Sequence, residues 1–104
     1  MVTAGIDLPE AAIADFCRRW KIVELAVFGS AVRGELGPDS DIDLLAKFAP
    51  DAAWSLFDHL RMEDELAAIL GREVDLISRR AVERSPNWIR RRDILSSARV
   101  VYAN

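Results

Sequence analysis

Three aspartates stand where strands enter the core. Asp41 and Asp43 lie one residue apart at the mouth of the apolar run "DIDLLAKF", and Asp75 lies inside "EVDLIS". Alternate residues of a strand share a face, so Asp41 and Asp43 point one way while Ile42 and Leu44 point the other. Two like charges so placed repel, and burying either one unpaired costs several kcal/mol. A divalent cation removes the objection. Magnesium prefers oxygen ligands and takes only one or two protein carboxylates, leaving water and substrate phosphate to complete its shell. Asp75 is a third candidate ligand, because aspartate is a poor strand former. The three converge on one or two ions if the strand of Asp75 pairs beside that of Asp43.

Upstream, Gly29-Ser30 ends another apolar run. Glycine lets the backbone approach a ligand closely. A serine hydroxyl and the N–H groups of a following turn can hold phosphate oxygens, and Arg33 adds a positive charge one turn on. A phosphate holder, two metal ligands and a third carboxylate make a coherent site for triphosphate chemistry. Taken singly, the parts have plainer readings: "DSDID" is a turn with capping aspartates, and Asp75 is a charge that guards an edge strand. The sequence has no GxxxxGK[ST] phosphate loop and no dinucleotide fingerprint.

The elements that must position these residues follow from pattern. Asp7 and Pro9 open a helix with Ile13, Phe16, Cys17 and Trp20 on one face. Strands follow over about Ile22 to Phe28, over "DIDLLAKF" and over "EVDLIS". Between the last two, residues 53–70 form a helix with Leu56, Leu60, Ala67 and Leu70 on its apolar side, stopped by Gly71. Phe57 and Trp54 pack under the sheet or flank a base. Ser85-Pro86 opens a helix to about Ser97, and "RVVYA" is a short last strand. The expected fold is α/β (α+β), a small mixed sheet of about four strands with helices packed on it.

At 104 residues the chain is expected to be a single domain, residues 1–104. One cysteine and one histidine exclude an intrachain disulfide and a Cys/His zinc site. The N-terminus lacks the basic start and apolar stretch of a signal peptide, so a cytoplasmic protein with no membrane association is expected. A net charge of -3 gives no whole-chain case for nucleic-acid binding, although residues 79–104 hold seven arginines against Glu83 and Asp93. His59 reads as a surface helix residue and Cys17 as a small buried hydrophobe.

Gly29-Ser30, ten residues, then Asp41-x-Asp43 resembles the G-S-x10-D-x-D pattern of the nucleotidyltransferase superfamily related to DNA polymerase beta. With Arg33, Gly34, Ser40 and Leu44, "FGSAVRGELGPDSDIDLL" is similar to its smallest branch, the minimal nucleotidyltransferases that act as antitoxins beside HEPN-type ribonuclease toxins. "EVDLIS" resembles the third-carboxylate strand of that branch, and the likeness runs from about Ile22 onward. The resemblance implies a polymerase beta-like fold and ATP bound with two magnesium ions. Gly29, Ser30, Arg33 and Ser40 would bind nucleotide. Asp41, Asp43 and Asp75 would be catalytic metal ligands. The implied acceptor is a hydroxyl, that of a tyrosine, on a HEPN-type toxin held in a hetero-oligomer. Two other functions are weighed against this: neutralisation of the toxin by covering it, and transfer to a small molecule, for which 104 residues leave little room to hold an acceptor.

Overall fold

The computed structural model describes residues 2, 3, 6–32, 34, 37 and 40–104, and the side chains of these apart from residues 2, 3, 6, 7 and 30. Arg33 lies outside the described residues, as does the Ser30 side chain. Two short strands, β1 (Val2–Thr3) and β2 (Ile6–Asp7), pair antiparallel at the start. Helix α1 (Glu10–Arg19) begins with Pro9, not Asp7, at its cap position and no side-chain cap bond. Strand β3 (Ile22–Phe28) ends in a 3-10 turn over Gly29–Ala31. Strand β4 (Ile42–Phe48), helix α2 (Leu56–Leu70) and strand β5 (Val74–Ser78) come next. A short helix α3 (Arg79–Glu83), which the sequence reading lacked, precedes α4 (Trp88–Ser97) and β6 (Arg99–Ala103).

Among the described residues four strands form a mixed sheet in the order β5-β4-β3-β6. β3 is antiparallel to both β4 and β6, and β4 is parallel to β5. Alternation sorts each strand onto two faces. Ile42, Leu44 and Ala46 join Leu25 and Val27 under α1 and α2, where Phe16, Met62 and Leu66 are fully buried. Fully burying one such side chain contributes about 1.5–3 kcal/mol. Leu45 points the other way and joins Ala26, Phe28, Val82 and Ile94 in a smaller cluster beneath α3 and α4. Asp43 and Asp75, two residues from Leu45 and Ile77 on the same strands, share that second face.

The ends of the helices carry local signals. Ser55 caps α2 in a reciprocal box with Asp58, and Gly71 closes it in the left-handed conformation. The helix starts at Leu56, and its buried residues are Met62 and Leu66. Leu56, Phe57 and Leu60 are exposed instead of packed. Trp54 does pack, with its indole N–H donating to the Trp20 carbonyl at 2.9 Å. Trp20 is buried and Trp88 exposed. Helix α4 opens two residues later than expected, because the Asn87 side chain and not Ser85 accepts the Arg90 N–H, at 3.1 Å. No helix among the described residues is long and apolar enough to cross a membrane.

Candidate active site

The register supplies the condition that the sequence left open. Asp43 of β4 pairs across to Phe28 of β3 on one side and to Asp75 of β5 on the other. Neighbouring strands stand about 4.8 Å apart, so the two carboxylates leave adjacent strands on one face at one end of the sheet. Asp41 precedes the strand and is exposed, as is Asp75, while Asp43 is half-buried.

Gly29 takes up the space beside Asp43. Its φ is +74°, and a Cβ built there would overlap the Asp43 carboxylate oxygen Oδ2. Any side chain would push that carboxylate aside, so glycine is required both for the turn and for the close approach. The turn continues with the Val32 N–H donating to the Gly29 carbonyl at 3.1 Å.

The loop into Asp41 is held by Ser40, one of the expected nucleotide-binding residues, and by Arg72, which no sequence pattern marks. The Ser40 hydroxyl oxygen accepts the Gly37 N–H at 2.9 Å. Arg72 donates through Nη1 to the carbonyls of Gly37 at 2.6 Å and Ser40 at 3.3 Å. One residue further on, the Glu73 carbonyl accepts the Ile42 N–H at 2.9 Å. Arg72 thus ties the approach to Asp41 to the entry of β5, across more than thirty positions of sequence.

His59, expected to be a bare surface residue, has a partner. Its Nε2 stands 2.7 Å from the Leu76 carbonyl oxygen. Cys17 is buried as expected, and burial pushes its thiol up to about 12.

The donor set fits a cation shared with phosphate. Among the described residues no three acidic, histidine or cysteine side chains stand together as a group that could hold a metal ion, so the structure sets Asp43 beside Asp75 but does not gather Asp41, Asp43 and Asp75 into one such group. Magnesium does not need one, since one or two carboxylates with water and phosphate complete its shell. Asp43 and Asp75 side by side, Asp41 at the rim and a turn without a side chain facing Asp43 suit that arrangement. A cavity of about 570 Å³, lined by Lys47, Trp54, His59, Ser78 and Arg80 among others, contains none of the predicted site residues. It opens at the far end of β4, about 13 Å from Asp43 by strand rise.

Comparison with known proteins bears on family and fold. The model of the nucleotidyltransferase domain family matches residues 10–101. Protein adenylyltransferase MntA of Thermococcus cleftensis is 40% identical over 65 residues, 62% of this chain and 64% of that protein. The chain therefore spans just under two thirds of that relative's length. A solved structure described provisionally as a minimal nucleotidyltransferase superposes with a TM-score of 0.66 at 37% identity, covering 86% of each chain. A complex of tri-AMPylated Shewanella oneidensis HEPN toxin with MNT antitoxin matches with a TM-score of 0.61 at 20% identity, over 91% of this chain and 70% of that one. At that identity the likeness is one of fold.

Proposed function

This chain belongs to the nucleotidyltransferase domain family, and from that premise we propose that it is a magnesium-dependent antitoxin that transfers AMP from ATP to a hydroxyl of a HEPN-type toxin. The observation that carries the reading is the juxtaposition of Asp43 and Asp75 on paired strands, with Gly29 against Asp43. The adenylyltransferase relative and the antitoxin complex support the choice of AMP and of partner.

Asp41, Asp43 and Asp75 would hold magnesium, two ions in the full arrangement. When bound, the metal neutralises triphosphate charge and stabilises the attacking and leaving oxygens of an in-line displacement. The chain's own groups do the rest. The backbone of the Gly29–Ala31 turn, with the side chains of Ser30, Arg33 and Ser40, holds the phosphates. Asp75, exposed on the same face, receives the proton of the acceptor hydroxyl at a carboxylate oxygen. The acceptor oxygen bonds to the α-phosphorus, and the bond to the pyrophosphate oxygen breaks. The favoured acceptor is a tyrosine, whose hydroxyl reaches further from its backbone than that of serine or threonine.

A second reading, neutralisation by covering, is favoured by the exposed Leu56, Phe57 and Leu60 at the start of α2. One experiment separates the two. The chain and the HEPN-type toxin are incubated with magnesium and ATP labelled at the α- or the γ-phosphate, beside Asp43→Asn. Toxin labelled from α only, and only by the unmodified chain, is expected. Label from γ would mean phosphoryl transfer and refute the mechanism. Neutralisation that survives Asp43→Asn with no label would establish covering.

A further inference from the structure

β5 is an outer strand of the sheet, and its partner β4 satisfies only one of its sides. The Ile42 N–H donates to the Glu73 carbonyl, so by parallel-ladder alternation residues 73, 75 and 77 face β4 and Leu76 faces away. The peptide groups of Leu76 would then stand bare on the edge. Helix α2 covers them. Glu63 Oε2 accepts the Leu76 N–H at 2.8 Å, and His59 Nε2 meets the Leu76 carbonyl oxygen at 2.7 Å. A carbonyl oxygen only accepts, so the imidazole carries its proton on Nε2. Glu63 and His59 sit one helical turn apart, with Oε2 and Nε2 separated by 4.0 Å. Together they replace, at one residue, the hydrogen bonds of a missing neighbouring strand.

That residue follows Asp75 directly. The peptide that joins Asp75 to Leu76 is therefore gripped on both sides, by β4 through Asp75 and by α2 through Leu76. The grip comes from a firm base, because Met62 and Leu66 of the same helix are fully buried. General protection of a strand edge needs only a charge or a proline. Here two directed bonds meet both polar groups of the one residue next to the third carboxylate.

We propose that Glu63 and His59 are positioning residues for Asp75, fixing the outer strand so that its carboxylate stays aligned with Asp43. The proposal rests on the reading of Asp75 as a metal ligand and proton acceptor. Neither Glu63 nor His59 touches nucleotide or acceptor in it.

The test compares the unmodified chain with Glu63→Ala and Glu63→Gln, since glutamine keeps an oxygen to accept the Leu76 N–H. His59→Gln, which keeps a donor, is paired with His59→Leu. Three quantities are read: amide hydrogen exchange at Leu76, the magnesium midpoint for binding a non-hydrolysable ATP analogue, and the analogue's affinity at saturating magnesium. Glu63→Ala is expected to speed Leu76 exchange about tenfold, the scale of one lost hydrogen bond. It should raise the magnesium midpoint severalfold and leave analogue affinity at saturating magnesium within about twofold. Glu63→Gln should match the unmodified chain, and the His59 pair should behave in parallel. Faster exchange with an unchanged magnesium midpoint would overturn the proposal and leave simple edge protection. Equal loss of analogue affinity at every magnesium concentration would overturn it too, as general damage to the fold. An unmodified chain that binds no magnesium–analogue complex would sink the site reading first, and this proposal with it.

Discussion

Replacing Gly29 with alanine separates the geometry of the site from the stability of the fold. Two effects follow from one methyl group. The first is conformational: at φ +74° a residue other than glycine is strained by about 1–2 kcal/mol. The second is contact with the Asp43 carboxylate. The clashing atom, Oδ2, is the free end of a side chain, so it swings away and the fold loses little more. To restore ordinary contact the oxygen must move by about 1 Å, and a misplacement of that size costs a reaction about 100-fold. Gly71 supplies the control. Its φ is +70° with nothing within 4 Å of an added Cβ, so Gly71→Ala carries the first effect alone. Both variants should lose roughly 1–2 kcal/mol, or about 4–8 °C in Tm per kcal/mol. At saturating ATP and magnesium, well below either Tm, Gly71→Ala should transfer label from α-labelled ATP at nearly the unmodified rate, and Gly29→Ala about 100-fold more slowly. Rates within about threefold of each other would refute the claim that the position of the Asp43 carboxylate, held by the bare turn, sets the chemistry.

Three further outcomes are expected. In urea unfolding, Leu66→Ala should cost about 2–5 kcal/mol, whereas Leu60→Ala, on the exposed side of the same helix, should stay within about 0.5 kcal/mol; equal losses would contradict the assigned packing. Hydrogen bonds from the Arg19 guanidinium hold the Glu65 carboxyl below its usual range, and the Ser55 N–H does the same for Asp58. A depressed folded pKa gives stability that is fully present above the unfolded value, about 4.3 for glutamate, and is lost as pH falls through the folded value. Glu65→Gln should therefore flatten the loss of stability between about pH 5 and pH 3 without altering its course above pH 6. The Cys17 thiol, buried and raised to about 12, should resist iodoacetamide at pH 8 in the folded chain and react promptly in denaturant.

Much of the frame was legible because the signals were local. The runs Ile22–Phe28 and Ile42–Phe48 are apolar and bounded by glycine or aspartate, and both are strands. Aspartates inside or beside such runs were conspicuous. Which strand lay beside which was not local information, and only the pairing of Asp43 with Asp75 joined the candidate ligands. Helix α2 shows where periodicity misleads. Leu56 and Leu60 precede Met62 and Leu66 by six residues, about 240° around a helix. The sequence thus offers two apolar stripes, and the sheet covers the one through Met62 and Leu66, which is interrupted by Glu63, Asp64 and Glu65. Arg72, His59 and Glu63 left no trace in pattern at all. Their partners are single backbone groups, of Gly37, Ser40 and Leu76, and no residue type advertises a backbone partner.

The two faces of the sheet divide labour along a single strand. Leu44 points into the larger cluster with Phe16 and Met62, while its neighbours Asp43 and Leu45 point to the face covered by α3 and α4. One layer of backbone separates the principal core from the smaller apolar cluster and from the aspartates proposed to meet a substrate. Variation in Val82, Ile94 and the exposed positions of α4 can accumulate without weakening the principal core, and a compact ancestor could be fitted to new acceptors by changing that layer alone. For an engineer the same partition marks where to randomise: even-numbered positions of β4 are to be left alone, and the helices over its odd-numbered ones are open to redesign.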